Sequence, residues 1–88
     1  MSEKTQKITL VFIINGQDFR IDTNVNAPLI PAIQKALQDS GNTGRNPDEW
    51  ELRDASGVLL EKHRTPKDLN LRDGARLFLS LRVGAGGH

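Results

Sequence analysis

The sequence predicts a single α+β domain in which one helix lies across a mixed sheet of four to five strands. Three observations support this prediction. An apolar run ends at Asn-Gly, one segment has its apolar residues at helical spacing, and in later segments leucines alternate with other residues. A chain of 88 residues has room for one such domain and no more.

The chain opens with a predicted β-hairpin. Residues 8–14 (ITLVFII) are mostly β-branched, aromatic or aliphatic, which is typical of a strand buried on much of both faces. Asn15 and Gly16 follow at once, and this dipeptide is a strong hairpin signal because both turn residues must accept positive φ. In residues 17–22, Phe19 and Ile21 alternate with charged residues, which predicts a return strand with one core face.

A helix of about three turns is predicted near residues 27–40. Its apolar residues share one face and polar residues lie opposite them; the apolar positions are Leu29, Ile33, Ala36 and Leu37. The residues expected at its ends are the N-cap candidates Asn24 and Asn26, the first-turn prolines Pro28 and Pro31, and the C-cap glycine Gly41.

Later segments supply the remaining strands. Residues 49–54 and 58–60 are predicted strands, with Trp50 and Leu52 pointing inward. Residues 76–83 form the last strand, in which one face holds Leu77, Leu79 and Leu81 and the other holds Phe78 and Ser80. Between these strands, Leu69 and Leu71 are expected as buried anchors before a turn at Asp73 and Gly74. The expected divisions are a flexible segment at 1–7, a folded domain at 8–83 and a flexible Gly-rich tail at 84–88.

Composition and residue spacing argue against several classes of function. A formal net charge of +1 predicts no field for nucleic-acid phosphates, so no nucleic-acid partner is expected. The lack of cysteine excludes disulfides and thiolate chemistry on this chain. The run at 8–14 is too short for a signal peptide or for the roughly 20 residues of a membrane span, so a cytoplasmic protein without membrane contact is expected. His63 and His88 have no partners at metal-ligand spacing, and no acid–base pair stands out, so no metal, cofactor or catalysis is expected.

Nearly the whole folded chain resembles the ubiquitin family in element order and spacing. The match is closest towards the C-terminus, where that family has a Thr-x-x-Asp stretch, then an alternating leucine strand, Leu-Arg and a Gly-Gly tail. The matching residues are Thr65, Asp68, Leu69, Asn70, Leu71, Leu77, Leu79, Leu81, Arg82, Gly86 and Gly87. Residues 50–57 also resemble the third strand and turn of bacterial ubiquitin-like domains. The resemblance implies a ubiquitin-like β-grasp fold. It is closest to bacterial ubiquitin-like modifiers encoded with activating, conjugating and JAB-type peptidase enzymes.

The resemblance also implies the chemistry of the tail. Gly87 would be the acyl donor after a JAB-type zinc peptidase removes His88, with Gly86 before it in the thin tether. Arg82, Val83, Gly84 and Ala85 would be recognised by the enzymes that handle the tail. The implied partners are the activating and conjugating enzymes, the peptidase and the target proteins, and the chain is expected to be a monomer. A setting in phage defence is implied by the family alone.

The sequence departs from ubiquitin in three ways, and each limits what the resemblance implies. The tail is one residue longer and lacks ubiquitin's second arginine, so an enzyme that recognises ubiquitin's basic tail is expected to reject it. Arg53 and Asp54 stand where ubiquitin has an exposed isoleucine, so ubiquitin's usual receptors are not expected as partners. The chain ends in His88 rather than at glycine; if His88 is not native, only the processing step falls away.

Two other functions remain open. A sulfur carrier would use a thiocarboxylate at Gly87, and a noncovalent interaction domain would leave the tail inert. Two side-chain assignments also have alternatives: Trp50 is expected in the core rather than as an exposed recognition aromatic, and His63 on the surface. The lysines could accept a further modifier, although solvated surface positions are the default for Lys4, Lys7, Lys35, Lys62 and Lys67.

Overall fold

The computed structural model describes residues 6–42, 44 and 46–82. Within them, five strands form one mixed sheet in the order β2-β1-β5-β3-β4, and one α-helix packs on it. The elements in chain order are β1 (Lys7–Ile14), β2 (Gln17–Asn24), α1 (Ile30–Asp39), a 3₁₀ helix (Pro47–Glu49), β3 (Trp50–Arg53), β4 (Leu59–Leu60) and β5 (Arg76–Leu81). The predicted α+β class and the helix across the sheet are therefore confirmed.

The N-terminal hairpin forms as predicted. Asn15 and Gly16 both have positive φ, 53° and 83°, as a two-residue type I′ turn requires. This turn sets the register in which Ile14 lies opposite Gln17. β1 also pairs in parallel with β5, which makes β5 a central strand between β1 and β3.

The helix begins later than predicted, at Ile30, with Pro31 in its first turn and Pro28 before it. The prediction of an Asn24 or Asn26 cap was wrong. Leu29 occupies the N-cap position without a side-chain hydrogen bond. Asn24 is still the last residue of β2, and its side-chain oxygen accepts the Asn26 N–H at 2.8 Å. The amide competes for a nearby turn, as asparagine side chains often do.

The helix ends at Asp39 with Ser40 as its C-cap, and Gly41, the glycine predicted as the cap, follows Ser40 directly. Gly41 has φ 80°, and its N–H donates to the Gln38 carbonyl at 3.0 Å. The Asn42 N–H donates to the Leu37 carbonyl at 2.7 Å. This pair of bonds is a Schellman motif, in which glycine supplies the left-handed residue that turns the chain out of the helix.

The core lies between α1 and the inner face of the sheet. All of the apolar positions predicted for the helix are buried, and they pack with Phe12, Trp50, Leu52, Leu77 and Leu79. Leu69 and Leu71 are partly buried and pack against this cluster. Leu81 differs from the prediction: as the last residue of β5 it is 41% exposed, so the core face of this strand ends at Leu79. Within the described ranges, no helix has the length and apolar character needed to cross a membrane.

Candidate functional site

The candidate site is the point where the C-terminal tail leaves the domain. Arg82 is the last residue that the structure describes, and it follows β5 directly. The other positions singled out in the sequence for processing, activation and tail recognition lie outside the described residues; these are Val83, Gly84, Ala85, Gly86, Gly87 and His88. The described part of the site therefore consists of Arg82 and the residues that hold it.

Arg82 is fixed through its backbone rather than its side chain. Its N–H donates to the Glu49 carbonyl at 2.9 Å, which extends the pairing of β5 with β3 by one step beyond Leu81 and Trp50. The Arg82 residue is itself exposed. The chain therefore leaves the sheet beside the 3₁₀ helix, with the Arg82 side chain exposed to solvent.

The 3₁₀ helix that contains Glu49 was not predicted, and Glu49 had been assigned to a strand over residues 49–54. Asn46 caps it: its side-chain oxygen accepts the Asp48 N–H at 3.0 Å. Pro47 occupies the first turn, where a missing N–H costs little, and two acidic residues follow it. The Asn-Pro-Asp-Glu order was the available signal, because it combines an N-cap residue, a first-turn proline and first-turn acids.

Lys62 connects this helix to β3. Its ammonium group donates to the Pro47 carbonyl at 3.2 Å and to the Trp50 carbonyl. Lys62 is half-buried, whereas the other described lysines, Lys7, Lys35 and Lys67, are exposed. The expectation that Lys62 is an ordinary solvated lysine was therefore wrong. Sequence spacing offered no signal for it, because its partners are backbone oxygens 12 and 15 residues away.

Trp50 and His63 lie as predicted. Trp50 is 2% exposed and belongs to the core cluster, and His63 is exposed. The indole N–H of Trp50 is buried without a hydrogen-bond partner among the described residues. Such a group costs free energy, about 1–3 kcal/mol in proteins.

A shallow cleft of about 280 Å³ lies at this end of the sheet. Its lining includes Trp50, Glu51, Lys62, His63 and Arg82, so it brings charged groups of both signs beside the tail exit. Across residues 6–42, 44 and 46–82, no three His, Asp or Glu side chains come together as a metal-binding group. The cleft therefore places these charged groups beside Arg82, the last described residue before the tail.

Arg53 lies on the outer face of the sheet. Cross-strand pairing places it between Leu59 of β4 and Phe78 of β5, and Phe78 lies beside Ile13 of β1. Arg53 forms an ion pair with Glu51 at 3.1 Å. Leu59 and Phe78 are 57% and 40% exposed, so this face carries apolar side chains around the arginine in place of a single isoleucine.

Asp54 shapes the β3–β4 turn. Its carboxylate accepts the N–H groups of Ser56 and Val58, at 2.8 and 3.0 Å. The Asp54 N–H donates to the Val58 carbonyl at 3.0 Å. Asp54 is therefore a structural residue of the turn; the sequence had indicated only that it stands with Arg53 near the position of ubiquitin's exposed isoleucine.

Comparison with solved structures defines the fold. A de novo design based on ubiquitin superimposes with a TM-score of 0.76 at 18% identity, covering 96% of this chain and 99% of the design. The ubiquitin-like domain of EccD5 from Mycobacterium xenopi gives 0.64 at 17% identity, covering 88% and 96%. That of Arabidopsis thaliana protein At2g32350 gives 0.71 at 11% identity, covering 90% and 81%. The protein has a ubiquitin-like fold, as the resemblance implied.

Sequence comparison places the chain more narrowly. It belongs to the family described as "Protein of Unknown function (DUF2604)", whose match spans residues 3–87 and so includes Gly86 and Gly87. It is similar to "Uncharacterized protein y4jI" of Sinorhizobium fredii (strain NBRC 101917 / NGR234), with 33% identity over 81 residues. That alignment covers 92% of this chain and 62% of the relative, so the chain spans less than two thirds of the relative's length.

Proposed function

We propose that the protein is a ubiquitin-like modifier that is cleaved after Gly87, activated at the Gly87 carboxylate and joined to target proteins. The observation that carries the proposal is a ubiquitin-like fold whose last central strand leads directly into a Gly-rich sequence ending in Gly86, Gly87 and His88. The family match supports it, because it extends through both glycines.

The tail suits an acyl donor for two physical reasons. Gly86 and Gly87 lack Cβ, so they fit a channel too narrow for side chains and leave the acyl carbon open to attack. Residues 83–87 could reach roughly 15 Å when extended. Because Arg82 is held to Glu49 through the backbone, that reach begins at a defined point of the domain.

In the proposed reaction the chain supplies the carboxylate and other proteins supply the catalytic groups. The carboxylate attacks the α-phosphate of ATP and releases pyrophosphate. A thiolate of the activating enzyme then displaces AMP to form a thioester, and an amine of the target displaces the thiol to form an amide. Cleavage of the Gly87–His88 bond by a JAB-type zinc peptidase is a step that the resemblance implies.

Intact mass spectrometry of the chain from its native host tests the proposal, under reducing and non-reducing conditions. Loss of one histidine residue mass, together with heavier species that carry the chain through Gly87 on a target nucleophile, is the expected result. A variant lacking only residue 88 should form these conjugates, whereas a variant lacking residues 86–88 should form none. An unaltered chain ending in His88, with no conjugates, would overturn the proposal.

A noncovalent interaction domain is the second candidate, and the exposed apolar residues Val58, Leu59 and Phe78 favour it. Contiguous exposed apolar patches mark protein–protein contacts in many domains, and here Leu59 and Phe78 lie on either side of Arg53 on one face. This function must survive deletion of residues 86–88, which the modifier cannot. The same mass measurement addresses the sulfur carrier, because sulfur in place of one oxygen at Gly87 would be its signature.

A further inference from the structure

The Lys62 side chain adds two hydrogen bonds to the segment that holds Arg82. Asn46 also caps this segment, and the Trp50 N–H donates to the Pro47 carbonyl. Three hydrogen bonds lie at the exit. The Lys62 ammonium group donates to the carbonyls of Pro47 and Trp50, and the Arg82 N–H donates to the carbonyl of Glu49 between them. The ammonium group of Lys62 thus bridges both ends of the segment that holds Arg82. Three donor hydrogens allow one ammonium group to serve both carbonyls.

The strand register explains why a lysine is needed there. β4 ends at Leu60, which lies opposite Leu52. Continuing that antiparallel register would place Lys62 opposite Trp50, but the chain has left the ladder by then. The Trp50 carbonyl would lack the backbone donor of a longer strand, and the Lys62 side chain supplies a donor in its place. Unpaired carbonyls in half-buried positions are costly, so this contact fixes the edge of the sheet.

We propose that Lys62 is a positioning residue for the tail: it holds residues 47–50 in place so that Glu49 can fix Arg82 where the tail leaves the domain. The same contacts make Lys62 the slowest acyl acceptor among the described lysines, because acylation removes the positive charge and leaves one N–H for its two carbonyl partners. The proposal deepens the proposed function, since it assumes that the tail is the reactive part of the chain.

Amide hydrogen exchange of the full chain, followed by NMR, tests the positioning. Lys62→Met keeps the length of the stem and removes the donors. We expect it to accelerate exchange at the Arg82 N–H about tenfold or more, and exchange at the Ile33 N–H less than about twofold. Ile33 donates to Leu29 within the helix and therefore reports general stability. Lys62→Arg keeps donor groups, so the Arg82 N–H should exchange more slowly in Lys62→Arg than in Lys62→Met.

Lys35→Met is the matched control, because Lys35 is exposed and forms an ion pair with Asp39 at 3.9 Å. It should leave Arg82 exchange at the wild-type rate. Unchanged Arg82 exchange in Lys62→Met would overturn the proposal. Acceleration by the same factor at Arg82 and Ile33 would also overturn it, as would equal rates in Lys62→Met and Lys62→Arg.

Amine acylation gives a second test. Brief treatment of the wild-type chain with N-hydroxysuccinimidyl acetate should modify Lys62 about fivefold more slowly than Lys35 and Lys67, as measured by peptide mass spectrometry. Equal rates at the three lysines would contradict the proposed sequestration. Neither test needs an activating enzyme, so both decide the role of Lys62 even if the tail proves inert.

Where the native host supplies an activating enzyme, ATP–pyrophosphate exchange connects the two proposals. Lys62→Met should raise the KM for the chain and leave kcat unchanged, because the donor groups act on where the tail starts rather than on the acyl carbon. Absence of ATP–pyrophosphate exchange with the wild-type chain would count against the proposed function alone. An active wild type with the same KM in Lys62→Met would count against the positioning role alone.

Discussion

The central strand β5 divides the sheet into two halves, which are stabilised in different ways. The hairpin half consists of β1, β2 and α1, and it contributes most of the fully buried side chains, including Leu10, Phe12, Ile14, Leu29 and Ile33. The exit half consists of the 3₁₀ helix, β3, β4 and residues 61–64. Its buried apolar side chains are Trp50 and Leu52, and its strands have four and two residues.

Hydrogen bonds from side chains hold the elements in place where few apolar side chains are buried. In the exit half, the Asp54 carboxylate organises the β3–β4 turn and the Lys62 ammonium fixes the 3₁₀ helix against β3. Burial in the hairpin half is shared among many side chains, whereas the exit half depends on a few individual hydrogen bonds. Regions of that kind open locally at lower free energy than a packed core. We therefore expect the part of the fold next to the tail to open at a lower free energy than the hairpin half.

The largest effect is expected from a core substitution in the hairpin half. Phe12 is fully buried, so Phe12→Ala should lower the free energy of unfolding by about 3–5 kcal/mol through lost burial and a residual cavity. Urea denaturation followed by circular dichroism measures this change.

Phe78→Ala is the matched control, since the same side chain is removed from the outer face, where Phe78 is 40% exposed. Its expected cost is about 1 kcal/mol or less. Comparable losses in the two variants would mean that the outer face carries as much of the stability as the core, and the comparison between packed and exposed faces would fail.

A smaller and more local effect is expected in the exit half. Asp54→Ala removes the acceptor for two backbone N–H groups, so we expect a loss of about 1–2 kcal/mol. Amide exchange should accelerate at Ser56 and Val58 more than at Ile33 in the helix. Denaturation and NMR exchange of the same sample give both quantities.

Asp68→Ala provides the comparison, because Asp68 is exposed and its backbone N–H, which the substitution keeps, donates to the Thr65 hydroxyl at 3.0 Å. Its expected change is within about 0.5 kcal/mol. If Asp54→Ala accelerates amide exchange by the same factor at Ser56, Val58 and Ile33, the turn opens only with the whole domain.

The same division explains how much of the structure could be predicted. The hairpin, the apolar face of α1 and the inward positions of β3 and β5 follow from periodicity and from the Asn-Gly turn, because packing and turn chemistry leave a pattern in the sequence. Most of these predictions were confirmed. The helix start was placed too early because Pro28 and the asparagines fit several local conformations, and Asn24 proved to cap a turn instead.

The candidate site was predictable only in part. Arg82 was singled out through the family resemblance, and the structure shows what holds it. Lys62, Glu49 and the 3₁₀ helix were missed because their contacts join backbone atoms to a distant side chain or to another backbone atom. Side-chain type and spacing carry little information about such contacts. The tail itself lies outside the described residues, so the roles of Gly86, Gly87 and His88 remain with the proposed function.

The smallest effect concerns the end of α1, where the hairpin half meets residues 42–46. Gly41 has φ 80°, so Gly41→Ala should cost about 1 kcal/mol because an L side chain is strained in the left-handed region, even though nothing lies within 4 Å of the added Cβ. Gly44 also has open space around the added Cβ but no positive φ. Gly44→Ala should therefore be neutral, or stabilising by up to about 1 kcal/mol, because it restricts the unfolded chain. Thermal denaturation of the two variants side by side isolates backbone conformation from packing, and a Gly41→Ala variant as stable as Gly44→Ala would show that the Schellman turn is not required to end the helix.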